Sequence, residues 1–95
     1  MRDVSQSADE EEIQAVWERG TVVGNNDPNV WRKDNCGAWI KRDHYGNRNS
    51  QYGWEIHHVM GGEDRIPLQW KNNVVTGNGR LQCPVTADGT SNTGT

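Results

Sequence analysis

Five tryptophans in a chain of 95 residues constrain this fold more than any other feature of its sequence. Only 32% of the residues are hydrophobic, which is low for a globular protein. A domain of this size buries a modest share of its surface, whereas each buried aromatic ring removes roughly 150–250 Å² from water. We therefore expect one domain with a thin aromatic core, stabilised further by a metal, by a partner subunit or by both.

The charge of the chain is unevenly distributed. The first fifteen residues carry a net charge of −4 against a total of −3, which leaves +1 for the remaining eighty residues. Within these eighty, a basic stretch contains Arg32, Lys33, Lys41, Arg42 and Arg48. Such a stretch can hold a phosphate backbone, although an ordinary solvated face is the simpler interpretation of the charge alone.

Helical spacing is clearest near the N-terminus. Ile13, Val16 and Trp17 recur at i, i+3 and i+4, which predicts a helix over about 9–19 that ends at Gly20. Ser7 and Glu10 have the spacing of a capping box at its start. Residues 1–8 are polar, and we expect a disordered tail there.

The rest of the chain is typical of short strands and loops. Residues 36–42 predict a short strand, and the stretch 45–53, rich in Gly, Asn and Ser, predicts a loop. Alternation over 54–59 predicts a strand, and residues 61–64 predict a tight turn. A second strand over 65–70, which Pro67 restricts to an edge or a strand end, and a short helix over 71–77 follow. We expect the folded domain to span 9–86, with 87–95 as a second disordered tail.

The two cysteines lie far apart in the sequence. The chain has no run of eighteen apolar residues and no signal peptide, which points to the cytoplasm, where a structural disulfide is not expected. We therefore expect Cys36 and Cys83 to be buried thiols, with a bridge between them as the alternative. Without C-x-x-C pairs, a zinc ribbon is not expected.

Adjacent histidines on the predicted 54–59 strand offer chemistry. His57 and His58 point to opposite faces of a strand, so they can take different roles. A phosphodiester hydrolase needs a divalent metal and a base that activates water, and histidine is suited to the second role near neutral pH. Asn73, on the following helix, can supply a metal ligand. On these residues alone, two histidines that only pack or form hydrogen bonds are the simpler interpretation.

A family resemblance favours the chemical interpretation. The run CGAWIKRDHYGNRNSQYGWEIHHV at 36–59 resembles a bacterial HNH endonuclease family that reads CGAWIxRxxYGNRNSxYGWEIDHI. The segment PLQWKNN at 67–73 is similar to NLxPLxWxNN of the same family, and GNGRLQC at 77–83 to its ending. Upstream, VWERGTVV and NNDPNVWRKD also fit. The resemblance covers roughly residues 13–86.

The resemblance implies a ββα-metal fold, in which a hairpin and a helix surround one divalent ion, and metal-dependent cleavage of DNA. By position, His58 matches the general base, and His57 and Asn73 match the metal ligands. Glu55 lies on the His57 face, and we expect it to be solvated. The predicted phosphate contacts are Arg32, Lys33, Lys41, Arg42, Arg65 and Lys71. The tryptophans are most simply core residues, although Trp31 or Trp39 could stack on a base.

The chain departs from the family pattern in three places. His57 replaces the usual Asp, which favours zinc or nickel over magnesium or manganese. The connection between the two strands is shortened to residues 60–64, which favours strand exchange and leaves a homodimer open. The Asn that braces the base is missing, with Asp64 as its nearest replacement. The alternative function is therefore a non-catalytic module of the same fold, which binds nucleic acid or protein or assembles as a homodimer.

Overall fold

The computed structural model describes residues 9–95, which form two α-helices and three two-stranded antiparallel hairpins. The α+β class predicted from the sequence is confirmed, and the predicted tail 1–8 lies outside the described residues. No helix within 9–95 is long and apolar enough to cross a membrane. The elements in chain order are α1 (Glu10–Trp17), β1 (Trp31–Lys33), β2 (Trp39–Lys41), a 3-10 turn (Arg42–His44), β3 (Trp54–His58), β4 (Arg65–Gln69), α2 (Trp70–Thr76), β5 (Thr86–Asp88) and β6 (Ser91–Thr93).

The first helix is capped by an aspartate. Asp9 has extended backbone angles, and its side chain accepts a hydrogen bond from the Glu12 backbone N–H at 2.8 Å. It thereby satisfies one of the N–H groups that the first helical turn leaves without a partner. The prediction of a capping box at Ser7 and Glu10 is wrong because the helix begins later, at Glu10 itself.

The apolar core joins α1 to β2 and β3. It consists of Ile13, Val16 and Trp17 from the helix, with Ile40 and Trp54 from the strands. The two tryptophan rings are fully buried, and their centroids lie 5.3 Å apart. An aromatic pair at this separation contributes about 0.5–1.5 kcal/mol beyond its buried area. The expected thin aromatic core is therefore present, and the predicted helical spacing places its residues there.

The order strand, turn, strand, helix predicted for the second half is confirmed. Pairing in the β3–β4 hairpin runs from Trp54 opposite Gln69 to His58 opposite Arg65. The second helix follows β4 without a loop, because the Gln69 side chain accepts hydrogen bonds from the first backbone N–H groups of α2. It ends at Gly77, whose φ of +54° favours glycine. Helix α2 is thereby held close to β3.

A buried polar cluster fixes the start of α2. Asp34, in the turn after β1, accepts hydrogen bonds from the backbone N–H groups of residues 36, 38 and 69 and from Asn72 Nδ2, at 2.8–3.1 Å. Asn72 in turn exchanges two hydrogen bonds with the backbone of Val85. Burial raises the pKa of Asp34, and the four hydrogen bonds oppose burial without outweighing it. Three separate segments of the chain thus meet at two side chains.

The two cysteines form a disulfide. The Cys36–Cys83 bridge joins the turn after β1 to the segment after α2, with Cα atoms 5.3 Å apart. The expectation of two buried thiols is wrong. It was drawn from the redox environment of a presumed compartment, whereas the fold brings the two residues within bonding distance across 47 positions. Cys83 is exposed and Cys36 is half-buried.

The C-terminal residues also differ from expectation. Residues 86–93 form the β5–β6 hairpin instead of a disordered tail. Asn92 binds this hairpin to the domain: its Oδ1 accepts from the Trp39 N–H at 2.7 Å, and its Nδ2 donates to the Trp39 carbonyl at 2.9 Å. Asn92 Nδ2 also donates to the Gln51 carbonyl at 2.8 Å. Long-range hydrogen bonds order a segment whose composition has too few apolar residues to predict a strand.

Candidate functional site

The strand β3 and the helix α2 bring the predicted metal ligands together. His57 is buried, with 8% of its surface exposed, and its Nδ1 lies 3.0 Å from Asn73 Oδ1. The amide oxygen can only accept, so this contact is a hydrogen bond when His57 carries its proton on Nδ1. The side chains meet because β3 and α2 pack directly against each other, although they are sixteen positions apart.

Asn73 has a second partner that fixes the direction of its amide. Its Nδ2 donates to Glu55 Oε1 at 2.9 Å. Because the Glu55 carboxylate accepts a hydrogen bond from the amide nitrogen, the amide oxygen of Asn73 faces His57. The side chain of Asn73 therefore lies between an acidic and an imidazole group, and its orientation is set by both.

Glu55 is held by a paired contact from the neighbouring loop. Arg48 Nε and Nη2 donate to the two carboxylate oxygens of Glu55 at 2.7 and 2.9 Å, the two-point geometry typical of guanidinium with carboxylate. Burial raises the pKa of Glu55, but the hydrogen bonds from Arg48 and Asn73 and the Arg48 charge outweigh it, so the pKa lies below its usual value. The same pairing raises the pKa of Arg48.

The expectation that Glu55 is solvated is therefore wrong. Its side chain is 18% exposed and lies between Arg48 and Asn73 in a connected series of polar contacts that continues to His57. Sequence reasoning missed this series because Arg48 and Glu55 are separated by a loop, where no helical or strand spacing pairs them. The only signal was a basic and an acidic residue seven positions apart.

His58 faces an open cavity next to this series. The cavity has a volume of about 260 Å³, and its lining includes His58, Glu55 and Asn73 together with Glu12, Tyr45, Gly46, Arg48 and Ile56. His58 is exposed, and within residues 9–95 no hydrogen bond to its imidazole ring is found. Asp64 is the nearest replacement in the sequence for the family's Asn that braces the general base. Its backbone oxygen accepts a hydrogen bond from the Val59 N–H.

The donor atoms present suit a divalent ion only in part. In residues 9–95 no group of three or more His, Cys, Asp or Glu side chains is arranged to hold a metal. His57 Nδ1 and Asn73 Oδ1 are two neutral donors at 3.0 Å. Ligands at about 2.1 Å from an octahedral ion lie about 3 Å from their neighbours, so these two atoms fit adjacent positions. Water or a phosphate oxygen must complete such a shell.

Four of the six predicted phosphate contacts are engaged by the protein itself. Arg32 donates to three backbone carbonyl groups between residues 18 and 28. Side chains of α1 bind Arg42 and Arg65, and Lys71 donates to a carbonyl near the C-terminus at 3.0 Å. These four side chains stabilise contacts between segments, whatever else they bind.

The remaining two predicted contacts lie on a different surface. The Lys33 ammonium sits 4.8 Å from the Trp39 ring centroid, and the Lys41 ammonium 5.5 Å from that of Trp31. Both lysines belong to the β1–β2 hairpin, while neither lines the cavity at His58. The structure therefore does not gather the six basic residues around the predicted active site.

Comparison of the chain with protein-family models, with curated proteins and with solved structures finds no match. The functional interpretation thus depends on the geometry described above and on the sequence pattern.

Proposed function

We propose that this protein is a metal-dependent endonuclease of the HNH type that hydrolyses DNA phosphodiester bonds. One observation carries the proposal: Asn73 lines the cavity that also contains His58, and its Oδ1 lies 3.0 Å from His57 Nδ1, while His57 itself lines a neighbouring cavity. His58 and Asn73 match the family pattern, and His57 stands where that pattern has an Asp. Their proximity fits a ββα-metal site formed by β3, β4 and α2.

His58 is the general base of the proposed reaction. Its exposed imidazole reaches the cavity and can accept a proton from a water molecule that attacks the phosphorus. Histidine is the side chain best suited to this step at neutral pH. The leaving 3′ oxygen takes a proton from solvent, because the cavity is open to water.

His57 and Asn73 are the residues that hold the divalent ion. A divalent ion held there would supply positive charge to the phosphate oxygens. Imidazole favours zinc or nickel, whereas the amide oxygen also suits magnesium or manganese. Among basic side chains, Arg48 lines the cavity, and we add it to the six predicted phosphate contacts.

The disulfide bears on where the protein works. A bridge with one exposed cysteine persists in oxidising surroundings and is rare in the reducing cytoplasm. We therefore favour an oxidising compartment or an extracellular setting over the cytoplasmic location expected from the sequence.

A non-catalytic binding or assembly module is the second candidate. Two observations favour it: Asn73 uses both polar atoms of its amide within the protein, and the His58 ring has no bracing hydrogen bond in the described residues. A homodimer would use the turn between β3 and β4, where Met60 is 70% exposed. This candidate predicts no metal-dependent cleavage.

Cleavage of supercoiled plasmid distinguishes the two candidates. The protein is incubated with plasmid and Mg²⁺, Mn²⁺, Ni²⁺ or Zn²⁺ in turn, with a chelator as control. His58→Ala should abolish nicking, whereas His44→Ala, at a histidine that hydrogen-bonds Ser50 outside the cavity, should retain it. Absence of nicking with every metal, or nicking that His58→Ala retains, contradicts the nuclease and leaves the binding module.

A further inference from the structure

We propose that one face of the β1–β2 hairpin binds single-stranded nucleic acid, with a base against Trp31 and phosphates at Lys33 and Lys41. This inference concerns a surface separate from the His58 cavity, and it holds whether or not the protein cleaves DNA.

Strand alternation places two tryptophans and two lysines on the same face. Trp31 and Lys33 of β1 are two positions apart, as are Trp39 and Lys41 of β2. The antiparallel register puts Trp31 opposite Lys41 and Lys33 opposite Trp39. Each ring therefore has a lysine directly across the hairpin, and each ammonium lies within 5.5 Å of a ring centroid. Aromatic and basic side chains thus alternate on this face.

The opposite face of the hairpin is already used. Arg32 and Ile40 alternate with the four residues above; Ile40 is in the core, and the Arg32 guanidinium lies 5.8 Å from the Trp17 ring. Helix α1 packs on that side, and its first turn carries three glutamates. These glutamates of α1 therefore lie behind the hairpin and away from the lysine face.

A cavity on the lysine face has the size of a nucleobase. Its volume is about 160 Å³, and Trp31, Trp39, Asn26 and Thr90 line it. Trp39 is fixed by a hydrogen bond from its Nε1 to the Gly89 carbonyl at 2.7 Å, and only 7% of its surface is exposed. Trp31 is held edge-on by Tyr52, with ring centroids 4.9 Å apart. The rings are therefore rigid before a ligand arrives.

The chemistry of this face selects the ligand. A base of any identity can stack on Trp31. Asn26 donates its Nδ2 to the Val23 carbonyl, which leaves its Oδ1 to accept from the polar edge of the base. The two ammonium groups carry the positive charge that phosphates on either side of the base require. In a duplex the bases are stacked on one another and do not present their faces, so the cavity favours single strands.

The test measures binding in isolation from cleavage. The His58→Ala protein, in chelator, is titrated with fluorescein-labelled oligothymidine of eight nucleotides and with an abasic oligomer of the same length. We expect oligothymidine to bind at least about tenfold more tightly, because stacking distinguishes the two. Added Trp31→Leu should remove this difference. Equal affinity for both oligomers, or no binding of either, overturns the proposal.

Charge variants keep the test decisive if Trp31→Leu fails to fold. Lys33→Gln with Lys41→Gln should weaken oligothymidine binding at least about tenfold and lower the slope of log affinity against log salt by about 1.4. The matched control is Arg19→Gln with Arg80→Gln, which removes the same charge at exposed positions off this face. An equal loss in both double variants means that binding is general electrostatics, and the proposed site is then wrong.

Discussion

The Cys36–Cys83 disulfide should supply much of the stability of this small domain. The bridge closes a loop of 47 positions, and in the chain-entropy treatment a loop of that length removes about 4 kcal/mol of conformational freedom from the unfolded chain. Replacing both cysteines by serine costs little packing, because Cys83 is exposed and Cys36 is half-buried. We therefore expect Cys36→Ser with Cys83→Ser to lower the free energy of unfolding by about 4 kcal/mol, an effect exerted mainly through the unfolded state.

Urea unfolding of the oxidised protein, the reduced protein and the double variant measures this loss. For a domain of this size, about 4 kcal/mol corresponds to a fall in Tm of roughly 15–30 °C. The reduced protein and the double variant should unfold together, and reductant should leave the double variant unchanged. A difference below about 1 kcal/mol between the free energies of unfolding of the oxidised and reduced proteins would refute the reasoning. It would mean that the bridge does not restrict the unfolded chain to the expected extent.

Three further predictions follow from single contacts. Gly53→Ala should lower the free energy of unfolding by about 2 kcal/mol or more, because the added Cβ would lie 1.8 Å from a backbone oxygen. The control Gly62→Ala should change it by less than about 1 kcal/mol, because its Cβ would meet no atom closer than 3.9 Å. Equal losses in urea unfolding would contradict this. Arg48→Gln should raise the pKa of Glu55, measured by NMR titration of the side-chain carboxyl, since burial then acts without the opposing guanidinium; an unchanged pKa would show that Arg48 does not control it. Asp34→Asn should cost about 2–4 kcal/mol of stability by circular dichroism melts, because an amide NH₂ would face donors where a carboxylate oxygen now accepts; a loss below about 1 kcal/mol would count against the polar cluster.

The pKa of Glu55 also sets the sign of its contribution to acid stability. Because its folded pKa lies below the usual value, the Glu55 carboxylate stabilises the fold above the ordinary pKa of about 4.3. That contribution is lost as the pH falls through the lowered folded pKa. Asp34 acts in the opposite sense: its raised pKa means that its protonated form favours folding, and that contribution is lost as the pH rises through the folded value.

The spacing of apolar residues along the sequence predicted α1 and β3. The spacing of Ile13, Val16 and Trp17 identified α1, and alternation over 54–59 identified β3, because a buried face imposes the period of its element on the sequence. The turn that follows β3 was predicted from its Gly-Gly pair, and the short helix after the second strand from the glycines at 77 and 79 that end it. The capping residue was assigned wrongly, since Asp9 and Ser7 both suit an N-cap and only the helix boundary decides between them.

Long-range contacts were not predictable in this way. The β5–β6 hairpin contains few apolar residues and is ordered by Asn92, whose partners lie 41 and 53 positions away. The disulfide joins residues whose separation in sequence carries no spacing signal. Pairing of Arg48 with Glu55 likewise crosses a loop. In each case the contact is specified by the folded chain as a whole.

The sequence pattern singled out three residues of the candidate site, while the side chains around them carried no signal. The family pattern singled out His57, His58 and Asn73, and the structure places His57 against Asn73 with His58 at the adjoining cavity. The Arg48 and Glu55 side chains that orient Asn73 had no signal of their own. Four of the predicted phosphate contacts were chosen by charge, and Arg65 and Lys71 by their position in the family resemblance; neither criterion shows whether a cation already has a partner inside the fold.

The single-turnover rate of plasmid nicking tests the central claim most directly. It should be measured for the unaltered protein and for His58→Ala, side by side, at saturating concentration of the metal that supports the fastest nicking. Removing a general base typically costs 10²- to 10⁴-fold, so the account predicts a rate at least about 100-fold lower for the variant, with both rates abolished by chelator. Equal rates for the two proteins, or no nicking with any metal, would contradict the assignment of a hydrolytic site to β3 and α2.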